Sequence, residues 1–305
     1  MPPLESVLDE SNALLRAAGL PPCSRLEPVA DGDTRNPSVM GYAADRRYAI
    51  KVSLSRPHTL ALQAAQANWF GRNTDLPVPR HLAHTAGEGS LPLLVTEWMP
   101  GEQLRLALPK RTPEDGAGVA YDWGRCLALL HTAPLPAELY PPNAARATGY
   151  WGDAEQYGEA LQLAERVGAA CRPDLSGRMV LFLEERVEAF RQTETGLTKA
   201  DCDTRDFLVG RPARISAMLD WEQVHCGFVL HQCLQAHLRL KAMGLEELFV
   251  PFCRGYEGVT GERLAQSPAV EYCFMARTLR AVGNNIPGAL ETVTALAAGQ
   301  PLPFG

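Results

Sequence analysis

Lysine is scarce in this chain: of 29 basic residues only Lys51, Lys110, Lys199 and Lys241 are lysines. Basic charge in general is short, because 35 acidic residues leave a formal net charge of −6. The chain therefore lacks the footprint of a general nucleic-acid binder, and no nucleic-acid partner is expected. No run of ~18 apolar residues occurs, so neither a membrane span nor a membrane partner is expected. The opening MPPLESVLDESNALL has no basic stretch leading into an apolar one, so no signal peptide is expected. The eight cysteines, at 23, 126, 171, 202, 226, 233, 253 and 273, form no CxxC pair, and no Cys/His cluster has zinc spacing. His225, His231, Cys226 and Cys233 lie close in sequence but fit core packing better than a metal site. The thiols are expected to be reduced and mostly buried, and the protein cytoplasmic. A G-x-x-x-x-G-K-[ST] phosphate loop is absent. So is a G-x-S-x-G elbow, which leaves an α/β-hydrolase without a nucleophile.

What is present is ample material for a core. The 305 residues are 46% apolar and 21% charged, as in a soluble globular protein of one large domain or two small ones. Residues 4 to 18 carry apolar positions at helical spacing and stop at Gly19-Leu20-Pro21-Pro22. Strands are expected at Leu26–Val29, Ser38–Ala43 and Tyr48–Leu54, a helix at Thr59–Phe70, an extended segment from Pro77 and a strand at Leu91–Trp98. Met99-Pro100-Gly101 then breaks the chain. Beyond it helices are expected at Gly116–His131, Asp153–Ala170, Gly177–Arg191, about 228 to 255, and 268 to 283. The domain boundaries read from this pattern are a β-rich lobe over 1–98 and a helical lobe over 99–305.

Three carboxylates stand out. Asp201, Asp206 and Asp220 flank two short apolar strand candidates, Phe207–Val209 and Ile215–Leu219. Acids at the ends of buried strands are costly unless they hold a cation or a hydrogen bond. One base and two magnesium ligands for phosphoryl transfer would give all three a task.

Four segments in this order resemble the aminoglycoside phosphotransferase family, the small-molecule branch of the protein-kinase-like fold. They are Tyr48-Ala49-Ile50-Lys51-Val52, the stretch Leu94 to Leu104 with Trp98-Met99-Pro100-Gly101, Lys199-Ala200-Asp201 to Asp206, and Leu219-Asp220-Trp221-Glu222. The resemblance spans roughly residues 25 to 285. It implies an α+β, bilobal fold with a small β-rich N-terminal lobe and a larger, mostly helical C-terminal lobe. It implies ATP or GTP as donor, magnesium, and a small-molecule hydroxyl as acceptor. Lys51 would then meet the α/β-phosphates, although alone it reads as an ordinary strand lysine. The backbone from Glu97 through Trp98 to Met99 would meet the purine edge. Asp201 would be the catalytic base, and Asp206 and Asp220 the magnesium ligands. The 149-to-157 region and the acids beside Asp201 and Asp220 would face the acceptor: Trp151, Asp153, Asp203 and Glu222. Trp151 and Asp153 fit a packed, capped helix start slightly better. Gly32 to Asn36 suits a hairpin turn as well as a phosphate loop.

The chain departs from the family pattern in places. Lys199 and Ala200 replace the His-Gly of its His-Gly-Asp, and Asp206 replaces Asn. Gln63 stands where a helix glutamate normally pairs with the strand lysine, and a glutamine forms no ion pair. Gly227 to Gln232 has lost both acids of the family's Gly-Asp-Pro-x-x-Asp. The function implied is phosphorylation of an antibiotic of aminoglycoside, nucleoside or peptide type, for resistance or self-protection. The alternatives are an impaired kinase-like nucleotide- or ligand-binding protein and a metabolite kinase of the same fold.

Overall fold

The computed structural model describes residues 2–29, 36–87, 89–134, 136–139, 159–192, 195–199, 203–221 and 224–302. Its elements, in chain order, begin with α1 (Leu4–Ala17), β1 (Arg25–Pro28), β2 (Ser38–Tyr42), β3 (Arg47–Val52) and α2 (Leu60–Asn73). Then come β4 (His81–Thr85), β5 (Leu93–Glu97), β6 (Glu102–Gln103), α3 (Leu104–Ala107) and α4 (Pro113–His131). They continue with α5 (Ala160–Cys171), α6 (Ser176–Glu184), α7 (Val187–Arg191), β7 (Thr195–Lys199), β8 (Phe207–Val209), β9 (Ile215–Met218) and β10 (Val224–Phe228). The last are α8 (Val229–Ala242), α9 (Phe249–Thr260), α10 (Pro268–Gly283) and α11 (Ala289–Ala297). The expected order of three strands, a helix and two strands is what β1 to β5 adopt. Two compact units emerge, one of Met1–Leu104, Pro136–Leu139 and Arg205–Val224, the other of Arg105–Leu135, Tyr140–Thr204 and His225–Gly305.

The first unit is built on a five-stranded sheet of order β1-β2-β3-β5-β4; every neighbouring pair is antiparallel. Period-two alternation sorts its faces. Tyr48, Ile50 and Val52 of β3 join Val39, Leu93 and Val95 in a core with Val7 and Leu15 of α1. The side chain of Asn12 ties that helix down, accepting from the Cys23 amide at 2.7 Å and donating to its carbonyl at 3.0 Å. The opposite face carries Leu94 against Leu60 and Ala64 of α2.

Gly101 makes the turn after β5 possible. Its φ of 151° is one that side-chain-bearing residues rarely adopt. A Cβ there would lie 2.7 Å from Ser216 Oγ and 3.0 Å from Leu208 Cβ. The chain break foreseen at 99–101 thus presses onto the β8–β9 hairpin, and Ser216 Oγ donates to the Pro100 carbonyl at 2.8 Å.

The second unit centres on α4 and α9. Thr112 caps α4 by accepting from the Asp115 amide at 3.2 Å, Pro113 opens it, and Glu114 and Asp115 suit its first turn. The two helices meet backbone to backbone. A Cβ on Gly124 would fall 2.0 Å from the Phe252 carbonyl oxygen, and one on Gly255 1.8 Å from that of Tyr121. Trp123 and Phe252 pack edge to face at 5.2 Å beside this contact. Beside it His131, the last residue of α4, meets the Tyr256 hydroxyl of α9.

Candidate active site

Lys51 lies on β3, in register with Leu94 of β5, so it shares the sheet face that packs on α2. Its Nζ donates to Asp220 Oδ1 at 2.7 Å, with side-chain exposures of 19% for the lysine and 35% for the aspartate. These two residues are 169 positions apart in sequence. Asp220 has a left-handed backbone with φ of 57°. Aspartate tolerates this conformation better than most residues, but it still costs energy and persists only where its surroundings enforce it.

The surroundings are identifiable. Asp220 follows β9, and Trp221 after it is buried, with its indole N–H donating to the Met218 carbonyl at 2.8 Å. The Trp221 ring lies 4.8 Å from that of Phe70 on α2. The Leu219 amide donates to the Asp206 carbonyl at 2.6 Å, and Phe207 pairs with Met218. Asp206 and Asp220 therefore stand at one end of the same hairpin, each just past the paired strands. Among the described residues no group of three or more His, Cys, Asp or Glu side chains is arranged to hold a metal. Two carboxylates and the oxygens of a phosphate are the donor set magnesium commonly takes.

Gln63 is brought elsewhere. It is buried on α2, and its Nε2 donates to Thr59 Oγ1 at 2.6 Å. Of the three residues expected at the purine edge, Glu97 and Trp98 use their amides within the sheet, donating to the carbonyls of Arg80 (3.0 Å) and Arg47 (3.3 Å). Glu97 Oε1 also accepts from the Arg80 amide at 2.8 Å. No backbone bond of this kind engages Met99 among the described residues. Asp201, Glu222, Trp151 and Asp153 lie outside the described residues.

In the second unit, the segment on either side of Asp201 is anchored in part by Arg239 and Tyr256, which the sequence did not single out. Asp203 is 8% exposed, and its carboxylate accepts from Thr204 Oγ1 and from Arg239 Nη2 of α8, both at 3.0 Å. Upstream, Gln232 Nε2 donates to the carbonyl of buried Lys199. Gln232 Oε1 lies 2.7 Å from His131 Nε2, and His131 Nδ1 lies 2.9 Å from the Tyr256 hydroxyl. An amide oxygen only accepts, so His131 Nε2 carries the proton and Nδ1 accepts from the tyrosine. This chain of donors joins α9, α4 and α8 to the end of β7. Gln232 sits where the family's second acid is missing, and a neutral donor now holds the loop.

Burial holds His81, His131 and His231 down, each from 6.5 to about 4. Their neutral forms stabilise the fold fully above the unfolded value. Between about pH 6.5 and 4 the unfolded chain takes up protons that the folded one refuses, on the order of 3 kcal/mol per histidine. The thermal midpoint is accordingly expected to fall steeply as pH drops across that window. A midpoint flat from pH 7 to 4.5 in thermal unfolding scans would contradict this.

The comparisons with known proteins agree with this geometry. The model of the Phosphotransferase enzyme family, APH, matches residues 26–265. No curated protein matches the chain. Among solved structures, that of the streptomycin–ATP–APH(2'')-IIa ternary complex aligns over 99% of this chain and 98% of its own, at 13% identity and a TM-score of 0.58. Macrolide 2'-phosphotransferase MphH from Brachybacterium faecium aligns over 98% and 99%, at 21% identity and a TM-score of 0.53. Spectinomycin phosphotransferase APH(9)-Ia, in complex with ADP and spectinomycin, aligns over 95% and 90%, at 11% identity and a TM-score of 0.56. At such identities these likenesses carry the fold, the α+β kinase-like one with an antiparallel N-terminal sheet and a mostly helical remainder. With its model matched over most of the length and the strand lysine set against the aspartate of Leu-Asp-Trp, the chain belongs to the Phosphotransferase enzyme family.

Proposed function

We propose that this protein moves the γ-phosphate of ATP or GTP to a hydroxyl of a small molecule, an antibiotic, with magnesium. The observation that carries the reading is the 2.7 Å pair of Lys51 and Asp220. It sets a positive and a negative point side by side, matching the alternation of phosphate oxygen and divalent cation in a bound metal–triphosphate. Lys51 would turn its ammonium to phosphate oxygens, and Asp206 and Asp220 would hold magnesium. When bound, that ion would neutralise charge on the phosphoryl group in transit. Asp201 would orient the acceptor hydroxyl and take its proton. Met99, whose backbone is spared by the sheet, would meet the purine edge together with the Glu97–Trp98 backbone, and Gln63 would support the lysine strand from α2.

The acceptor side rests on Trp151, Asp153 and Glu222, with Asp203 beside the base and held by Arg239. Aromatic rings and carboxylates suit a polyhydroxylated or amine-bearing molecule. The similar structures named above are a ternary complex with streptomycin and ATP, a macrolide phosphotransferase and a spectinomycin phosphotransferase, so the acceptor is sought among such antibiotics, and the activity would serve resistance or self-protection.

A phosphate-transfer screen tests this. ATP and GTP are each offered with aminoglycosides, macrolides, nucleoside and peptide antibiotics, and amino alcohols. Product is expected with one antibiotic class, and Asp201→Ala should abolish it. Nucleotide binding without transfer to any acceptor would instead support a binding protein of the same fold. Transfer confined to amino alcohols would support a metabolite kinase.

A further inference from the structure

A cavity of about 290 Å³ lies within the helical unit, between α8, α10 and the first turn of α11. Its walls are largely apolar, with Leu234 and Leu238 from α8, Phe274 and Ala281 from α10, and Ile286 and Pro287 from the connection to α11, and they also include His237, Thr278 and Thr292. Two cationic side chains, Lys241 and Arg277, also line it, and no Asp or Glu does. Arg277 Nη1 is buried and has no hydrogen-bond partner among the described residues. The nearby carboxylate, Glu246, is already shared: it lies 3.0 Å from His237 Nε2 and 3.9 Å from Lys241 Nζ. The remaining wall is the start of α11, where Gly288 is the cap residue and offers no side chain to the first-turn amides.

A buried guanidinium nitrogen without an acceptor has lost its hydration with nothing in return, so each such atom in a folded protein asks for an explanation. A carboxylate would supply one. It would meet Arg277 bidentately, gain from Lys241, and sit at the positive end of a helix. The apolar walls would take the rest of the molecule. At ~30 Å³ per heavy atom, the volume of a water in the liquid, the cavity holds ~10 such atoms. Ile286, 55% exposed, leaves an apolar rim over which a chain can enter.

We infer that this cavity binds a small anionic amphiphile, a carboxylate on an apolar body of roughly seven carbons. The inference is independent of the phosphotransfer reading, because every residue in it lies in the helical unit and none is assigned to nucleotide, metal or acceptor. Octanoate is the probe, with octan-1-ol as its uncharged counterpart and octylamine as its cationic one. Calorimetry and thermal shift on the full chain are expected to show octanoate binding with Kd at or below about 1 mM, octanol at least ~10-fold weaker, and no saturable binding of octylamine. Arg277→Met should erase the preference for octanoate over octanol. Ala281→Phe, which fills the cavity, should abolish binding of both, and it keeps the idea testable should the arginine variant fail to fold. Absence of octanoate binding, equal binding of octanol to the unaltered protein, or binding that survives Ala281→Phe would each overturn the inference.

Discussion

Removing the Asp220 carboxylate is expected to lower phosphoryl transfer by on the order of 10³-fold, because that group alone meets both the strand lysine and the proposed metal position. Three substitutions separate the chemistry from the backbone. Asp220→Ala loses the carboxylate and also the short polar side chain that eases a φ of 57°, a further cost of about 1 kcal/mol. Asp220→Gly loses the carboxylate but adopts that φ freely. Asp220→Asn keeps the shape and the tolerance for the left-handed region but discards the charge. All three should be comparably inactive, while thermal unfolding ranks Gly and Asn above Ala. Activity above a tenth of the original in any of them would remove Asp220 from the reaction.

The second large effect belongs to Gln232. Gln232→Leu keeps the volume but leaves the His131 Nε2–H and the Lys199 carbonyl without their present partner in a buried place. The expected loss is about 2–5 kcal/mol of stability, the usual consequence of breaking a buried network. Lys199 stands two residues before Asp201, so a loosened loop would misplace the proposed base. Misplacement of this order typically removes ~10²-fold in rate. Nucleotide KM should barely change, since Lys51 and Asp220 lie in the other unit. His131→Leu removes the orphaned N–H, so the double variant should lose less stability than the sum of the single changes, by about 1 kcal/mol or more. Strict additivity, or a kcat untouched by Gln232→Leu, would show that the chain of donors does not position the loop.

Some of this was legible from residues alone, and the reason is locality. Lys51 declares itself because alternation in Tyr48-Ala49-Ile50-Lys51-Val52 puts it opposite the core face, and Leu219-Asp220-Trp221 is a contiguous string. Gln63 illustrates the opposite case. Its position on α2 was readable, but its hydrogen bond to Thr59 depends on a rotamer that spacing does not fix. Arg239 and Tyr256 gave no sequence signal, because their partners lie 36 and 125 residues away. Gln232 did leave one, as a glutamine where an acid was due. Helix boundaries failed for similar reasons. The single helix expected over Gly177–Arg191 is divided at Glu185–Arg186, where Arg186 reaches out to Glu271 of α10. The long helical stretch from about 228 to 255 is broken after Ala242, where Gly244 takes a φ of 71°. α11 was not foreseen at all: Gly288 opens it with no capping side chain, so the usual start signal is absent.

Nucleotide affinity measured by calorimetry with and without magnesium bears most directly on the proposed site. In the unaltered protein magnesium should tighten ATP or GTP binding by about tenfold or more. Asp206→Ala and Asp220→Ala should each erase that enhancement, and Lys51→Ala should weaken binding whether or not the metal is present. An enhancement that persists undiminished in both aspartate variants would mean that the hairpin end and Lys51 do not share one metal–triphosphate.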